Sequence, residues 1–350
     1  MTYIRPNFRH PESLRNDAGY SIKHYEGALS TLCAGCGHDS ISAAIIKSCF
    51  DLNLAPHKIA KISGIGCSSK TPTYFLGKAH GFNSVHGRMP SVTTGANMAN
   101  KDLLYLGVSG DGDTASIGMG QFAHVVRRNL NMVYIVMNNG CYGLTKGQDS
   151  ATADQGSVSK KGVPSVFDSI DLCQMALQLG AGLVARCFSG DKKQLIPIIK
   201  AAIQHQGFAF IDVISPCVTF NNTPQSTKGY EWVREHMEAT GTIDFIPDRT
   251  EITLDYPAGS SRTVTLHDGS ELHLQKSSAD YDLSNRKAAM QQIETVKEQQ
   301  KILTGLIYHN DTKLDTHGKI NTVDTPLNAL TQDELCPGSE VLAALNAKLR

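Results

Sequence analysis

The sequence lacks an excess of either charge: 33 Lys and Arg stand against 33 Asp and Glu. That balance argues against a dedicated nucleic-acid binder or a polybasic membrane partner. No stretch approaches the roughly 18 consecutive apolar residues of a membrane span. The opening residues 1–17 lack the apolar core of a secretory signal. Internal repeats and low-complexity tracts are also missing. These absences leave a soluble, cytoplasmic globular protein as the expectation. Its 350 residues suit about two domains, or one large domain with an appendage. A disulfide framework is not expected either. The nine cysteines are an odd number in a long chain with no export signal. Some of these thiols should be buried core residues, others metal ligands or reactive groups.

What is present is a change of texture along the chain. Residues 1–20 are polar and read as an arm. From there to about residue 235 short apolar runs alternate with helical patterns. The runs are 58–62, 103–108, 132–137, 182–187 and 208–214, and the helical patterns are 40–50, 117–128, 170–179 and 193–204. Such alternation predicts an α/β fold with a doubly wound, mostly parallel sheet. Chemistry is then expected where such sheets bind ligands, just past the strand ends at Ile62, Val108 and Met137. Residues 236–350 look like a smaller C-terminal extension suited to subunit contact. In it, Ile252–Tyr256, Thr263–His267 and Glu271–Gln275 suggest an antiparallel meander around Asp268-Gly269. A long polar helix is expected over 286–309, then a loop-like stretch, and a short helix near 341–349.

Cysteine placement is the first chemical signal. Cys33-Ala-Gly-Cys36 precedes a helical pattern, and a helix N-terminus favours thiolates. Cys67 and Cys217 each follow an expected strand, so the strand ends could gather Cys33, Cys36, Cys67 and Cys217. Four thiolates suit tetrahedral zinc or a [4Fe–4S] cluster. The plain alternative is a set of buried thiols. The second signal is Gly110-Asp111-Gly112-Asp113, followed by Asn138-Asn139-Gly140 roughly 25 residues on, room for one crossover helix. A Gly-rich turn lets backbone N–H groups approach a diphosphate. Asp111 and Asn139 offer the hard oxygens that Mg²⁺ prefers alongside phosphate oxygens. Together the halves point to thiamine diphosphate held through Mg²⁺.

Six motifs in order carry a family resemblance. They are Leu32-Cys-Ala-Gly-Cys-Gly-His38, Gly64-Ile-Gly-Cys-Ser-Ser-Lys70, His86-Gly-Arg88, Gly110-Asp-Gly-Asp113, Asn138 through Gln148, and Ser215-Pro-Cys217. Over residues 20–235 the chain resembles the beta subunit of 2-oxoacid:ferredoxin oxidoreductases, most closely the 2-oxoglutarate-specific members. The resemblance implies that Cys33, Cys36, Cys67 and Cys217 hold one [4Fe–4S] cluster. It implies that Asp111, Asn139 and the Cys141 carbonyl bind Mg²⁺. Gly66, Ser68, His86, Gly110, Gly112, Asp113, Tyr142, Gly143 and Thr145 would surround thiamine diphosphate. Lys70, Leu144 and Lys146 would meet the substrate, where a lysine can pair with the distal carboxylate of 2-oxoglutarate that pyruvate lacks. The implied reaction is coenzyme A-dependent oxidative decarboxylation, or its reverse, with electrons passed singly through the cluster to ferredoxin. A pyrimidine-binding domain is missing from these 350 residues. The resemblance places it, with the glutamate that activates the cofactor, on an alpha subunit, in an alpha–beta pair doubled to a heterotetramer. Two alternatives stand beside this reading: the same chemistry on pyruvate or a range of 2-oxoacids, and a non-catalytic iron–sulfur or zinc module that binds a partner.

Overall fold

A computed structural model describes residues 14–158, 164–223, 226–240, 261–265, 271–275, 281–336 and 338–349. Its elements begin with α1 (Gly37–Asp51), β1 (Ile59–Ser63), α2 (Cys67–Lys70), β2 (His80–Asn83), α3 (Met89–Ala99) and β3 (Leu104–Gly110). Then come α4 (Met119–Arg128), β4 (Met132–Asn138), the two-residue strands β5 (Cys141–Tyr142) and β6 (Gln148–Asp149), α5 (Leu172–Leu179) and β7 (Leu183–Phe188). The chain continues through α6 (Lys192–Gln204), β8 (Phe208–Ile214), α7 (Tyr230–His236), β9 (Met237–Ala239), β10 (Ser261–Thr265) and β11 (Glu271–Gln275). Past these lie α8 (Arg286–Glu298), β12 (Ile302–His309) and short helices ending in α11 (Gly338–Lys348), with α9 and α10 at Thr316–Ile320 and Gln332–Leu335.

Eight strands form one sheet in the order β2-β1-β3-β4-β8-β7-β12-β9. All neighbours are parallel except β12 against β7. The expected doubly wound α/β sheet is therefore present. Its central strands are buried on both faces, which is why they read as continuous apolar runs rather than alternating ones. One face carries α3, α4, α5 and α8 over a cluster containing Phe122, Tyr134, Phe208 and Phe210. The rings of Phe122 and Phe210 meet edge-on at 5.2 Å. The other face carries α1 and α6 over Ile41, Ile45, Leu195 and Ile199. Among the described residues no helix is long and apolar enough to cross a membrane.

The winding places the ligand crevice. From β1 the chain steps outward to β2 on the α1/α6 face. From β3 it steps the opposite way to β4, through α4 on the other face. Neighbouring strands whose connections leave in opposite directions open a gap at their carboxyl ends. Here the gap lies between the loops following Ser63 and Gly110.

The C-terminal region departs from expectation in one respect. The helix starting at Arg286 ends at Glu298, and Gln300 takes a left-handed φ of 57°. Residues Ile302–His309 form β12 in the main sheet, not a continuation of that helix. An apolar run directly after a polar helix has a second use: β12 is buried along nearly its whole length, as a strand between two others must be. β10 and β11 do pair as an antiparallel ladder, with Thr265 opposite Glu271. Residues 252–256 of the expected meander, its Asp268-Gly269 turn and residues 1–13 of the expected arm lie outside the described residues. The rest of the arm is pinned through Asn16, whose Nδ2 donates to the Phe50 carbonyl at 2.9 Å.

Candidate active site

Three loops meet at the crevice. The loop after β1 holds Gly66 at φ 125° and ψ −172°, a conformation that only glycine adopts readily. It turns the chain into α2, whose first residue is Cys67. The buried Lys61 braces this loop from below, with Nζ donating to the carbonyls of Pro72 at 2.5 Å and Phe75 at 2.7 Å. Burial pulls that ammonium down to about 8. The loop after β3 runs through Gly110 and Asp111 into a π-helical turn, Gly112–Ile117. Single π turns are uncommon and often mark functional positions. A β-carbon on Gly64 would sit 1.7 Å from Asp113 Oδ2, so only glycine lets these two loops touch. Asp113 joins the third loop as well. Its Oδ1 accepts from the Gly87 N–H at 2.8 Å and its Oδ2 from Ser109 Oγ at 2.8 Å. Asp113 thus ties the His86-Gly87-Arg88 turn to β3, while His86 and Arg88 themselves are exposed.

Asp111 and Asn139 are brought together as expected. The Asn139 N–H donates to Asp111 Oδ1 at 3.2 Å, and Asn139 Oδ1 accepts from the Cys141 N–H at 3.1 Å. Asp111 Oδ2 accepts from Thr152 Oγ1 at 2.9 Å and from Ser150 Oγ. Burial raises the Asp111 carboxyl above its ordinary value, against the pull of these hydrogen bonds. Ser150 and Thr152 were not anticipated from sequence. The only available signal was their place just past β6. Asn221 was missed too: its Nδ2 holds the Asn139 carbonyl at 2.8 Å.

β5 and β6 form a small hairpin that projects the remaining expected residues. Tyr142 reaches back, its hydroxyl donating to the Gly112 carbonyl at 3.0 Å. Ser68 is buried against Gly110, where a β-carbon would lie 2.9 Å from its Oγ. Thr145 Oγ1 donates to Gln148 Oε1 at 2.6 Å across the hairpin. Leu144, Thr145 and Lys146 are exposed at its tip, with Lys146 at a left-handed φ of 80°. Lys70 ends α2, close enough to Cys67 for its charge to favour that thiolate.

The four expected cysteines line one small cavity with Gly143, Asn139 and Phe220. Cys36 is the N-cap residue of α1, and its N–H donates to the Cys33 carbonyl at 3.1 Å. A β-carbon on Gly143 would lie 3.5 Å from Cys67 Sγ and 3.7 Å from Cys217 Sγ. The fifth thiol, Cys141, donates its S–H to Cys217. With the N–H groups of Phe220, Thr219 and Asn221, this brings Cys217 down to about 6 despite burial. Burial pushes Cys36 up to about 12 and raises Cys67. His38 is buried with Nδ1 2.5 Å from Ser215 Oγ, and burial brings it down to about 4, so it is neutral. Among the described residues, no three His, Cys, Asp or Glu side chains converge on a point that could hold one metal ion.

Comparison with known proteins agrees with this geometry. Residues 64–213 match the family described as thiamine pyrophosphate enzyme, C-terminal TPP binding domain. That stretch runs from the loop after β1 to β8. Over 217 residues the chain is 38% identical to a 2-oxoacid:ferredoxin oxidoreductase subunit beta from Sulfolobus sp, covering 62% of this chain and 69% of that subunit. The chain belongs to this family of beta subunits. A second family member, the 2-oxoglutarate synthase subunit KorB of Methanocaldococcus jannaschii, is 40% identical over 192 residues, 54% of this chain and 69% of its own. A likeness in fold to a solved structure extends over nearly the whole chain. A 2-oxoglutarate:ferredoxin oxidoreductase from Magnetococcus marinus, solved with 2-oxoglutarate, coenzyme A and succinyl-CoA bound, matches with a TM-score of 0.73. It is 28% identical and covers 95% of this chain and 96% of that one.

Proposed function

We propose that this beta subunit carries the diphosphate-binding and electron-transferring half of a coenzyme A-dependent 2-oxoglutarate:ferredoxin oxidoreductase. The observation that carries the reading is Asp111: it is 1% exposed, and no cationic side chain pairs with it among the described residues. A buried carboxylate without a cation is costly. A divalent ion at Asp111, Asn139 and the Cys141 carbonyl would relieve that cost with the hard-oxygen set Mg²⁺ prefers. The first N–H groups of the Gly112–Ile117 turn and the glycine-lined crevice suit a diphosphate. Four thiols around one cavity suit a [4Fe–4S] cluster. A non-catalytic module would have no use for the diphosphate crevice.

Thiamine diphosphate supplies the electron sink for decarboxylation when bound. The chain's residues do the rest. Asp111 and Asn139 would fix the metal and so the diphosphate. The hairpin from Cys141 to Asp149 would hold the cofactor beside the thiols, since Asn139 and Gly143 belong to both sites. Lys70 and Lys146 would pair with the distal carboxylate of 2-oxoglutarate, and Leu144 would pack against its methylenes. The pyrimidine end of the cofactor and its activating glutamate fall to an alpha subunit, and ferredoxin takes the electrons. All nine cysteines are free, which suits the reducing cytoplasm.

The test is anaerobic turnover of the chain with and without its alpha partner, given thiamine diphosphate, Mg²⁺, coenzyme A and a viologen acceptor. Reduction should require the partner and favour 2-oxoglutarate over pyruvate. Preference for pyruvate would discard the substrate and keep the chemistry. Lys146→Met should lower kcat/KM for 2-oxoglutarate about 10- to 100-fold, the worth of one charge-assisted hydrogen bond of roughly 1.5–3 kcal/mol. Pyruvate turnover should move by less than about threefold on the same scale. Equal losses on both acids would sink the assignment of Lys146.

A further inference from the structure

On the face carrying α4 and α5, three neighbouring strands end their inward rows alike. Tyr134 and Val136 on β4 are followed by Asn138, Phe210 on β8 by Asp212, and Val184 on β7 by Arg186. The register sets Asp212 directly beside Val136 on one side and Arg186 on the other. The aromatic core is therefore capped, at the carboxyl edge of the sheet, by a buried polar row. Arg186 is 6% exposed, Asp212 2%, Asn138 3% and Thr152 1%.

The hydrogen bonds in this row run in one chemical direction. Arg186, a donor only, gives Nε–H to Asp212 Oδ2 at 3.1 Å and a terminal N–H to Asp171 Oδ1 at 2.6 Å. Asp171 is itself fixed as the N-cap of α5, accepting from the Gln174 N–H at 3.0 Å. Asp212, an acceptor only, takes the Asn138 Nδ2–H at 3.0 Å, which settles which way the Asn138 amide faces. Asn138 Oδ1 must then point the other way, where it accepts from the Gly140 N–H at 3.3 Å and faces Thr152 Oγ1 at 3.0 Å. The Thr152 hydroxyl has one proton and three oxygens within reach, Asp111 Oδ2 at 2.9 Å and Asn138 Oδ1 and Ser150 Oγ at 3.0 Å. Nothing in the row depends on a tautomer or a free rotor except this last proton.

We propose that Arg186, Asp212, Asn138 and Thr152 form a positioning relay that sets the Asn138–Gly140 turn, and through it the affinity of Asp111 and Asn139 for a divalent cation. This rests on the cation site proposed above. The turn needs setting because Gly140 is left-handed at φ 71° and because Asn139 and Cys141 both leave it toward the crevice. A cation at Asp111 would compete with the Thr152 hydroxyl for the carboxylate and leave its proton to Asn138 Oδ1 or Ser150 Oγ, so occupation of the site would favour the turn that supplies the other ligands. Stability alone gives little reason for the arrangement. A buried ion pair is often no better than well-packed apolar side chains of the same volume. All four residues of the relay line a cavity of ≈ 380 Å³ together with Lys228 and Trp232. The cavity's buried cations are already matched, Arg186 by Asp171 and Asp212 and Lys228 by Asp154, so it points to no separate ligand.

The test uses the full chain with its partner subunit and saturating thiamine diphosphate, titrated with Mn²⁺ as a visible stand-in for Mg²⁺. The six-line resonance of free Mn²⁺ reports binding without turnover. Asp212→Asn and Thr152→Val should each weaken Mn²⁺ binding about 10- to 100-fold, as outer-shell changes do. Thr152→Ser, which restores the hydroxyl, should stay within about threefold of the parent on that scale. In the same variants the metal concentration for half-maximal turnover should rise while kcat at saturating metal recovers, a split that a loss of folded protein would not produce. Thr152→Val strands no buried charge and keeps the test open should Asp212→Asn fail to fold. Parental Mn²⁺ affinity in Thr152→Val would overturn the relay. A parent that binds no Mn²⁺ would instead overturn the cation site itself.

Discussion

Asp111→Asn should abolish thiamine diphosphate binding through the metal and lower turnover by about 10²- to 10³-fold or more. A bound metal ion contributes several kcal/mol of charge stabilisation, and each 1.36 kcal/mol is tenfold in rate. The substitution keeps the shape of the side chain and removes its charge. The consequence for stability runs the other way. In the protein without metal, Asp111 is a buried carboxylate with hydrogen bonds but no cationic partner among the described residues, and burial raises its carboxyl above the ordinary range. An amide carries no such desolvation cost. The variant without cofactor should therefore melt at the parental temperature or above it. The parent should gain melting temperature with Mg²⁺ and thiamine diphosphate, as any ligand of the native state confers. The variant should gain none. The parent's gain should also weaken as pH falls, because the cation must displace a proton from a carboxyl whose pKa is raised. Thermal melts with and without the cofactor pair check all three. A variant that still gains melting temperature like the parent would remove Asp111 from the metal site.

Much of this site was legible because parallel strands buried on both faces announce themselves. Phe208–Ile214 was expected as a strand and is one to the residue, and Cys217 falls just past it. Loops at such strand ends inherit the site by topology, so Gly110–Asp113 and Asn138–Gly140 could be paired without coordinates. The resemblance added an expectation of which residues would serve which cofactor. Other parts were hidden for physical reasons. Arg186 and Asp212 each interrupt an apolar strand, but that they face one another is a fact of register, which no single strand's sequence contains. Ser150 and Thr152 reach Asp111 only because the β5–β6 hairpin folds back on it. From sequence, β12 reads as part of the preceding helix because its stop signal is Gln300 in a left-handed conformation, where a glycine would be readable. Lys146 sits at an exposed hairpin tip, where the fold supplies position but no partner to name.

Cys217→Ser should separate the two halves of the site. Cys217 occupies a place built for a thiolate: the Cys141 S–H and three backbone N–H groups bring it down to about 6. A serine hydroxyl stays protonated there, and a neutral hydroxyl is a poor ligand for iron, which these clusters take through thiolates. The variant should lose most of its iron and its brown visible absorbance, and viologen reduction should fall to background. Its melting temperature should still rise with Mg²⁺ and thiamine diphosphate, because Asp111 keeps its hydrogen bonds to Asn139 and to Thr152. Asp111→Asn should give the mirror result, with iron retained and the cofactor gain lost. This crossed pattern is what two sites sharing one hairpin require. Zinc in place of iron in the parent would overturn the cluster. Joint loss of iron and cofactor in both variants would mean that the hairpin from Cys141 to Asp149, with Gly143 against Cys67 and Cys217 and Tyr142 against Gly112, folds only when both sites are filled.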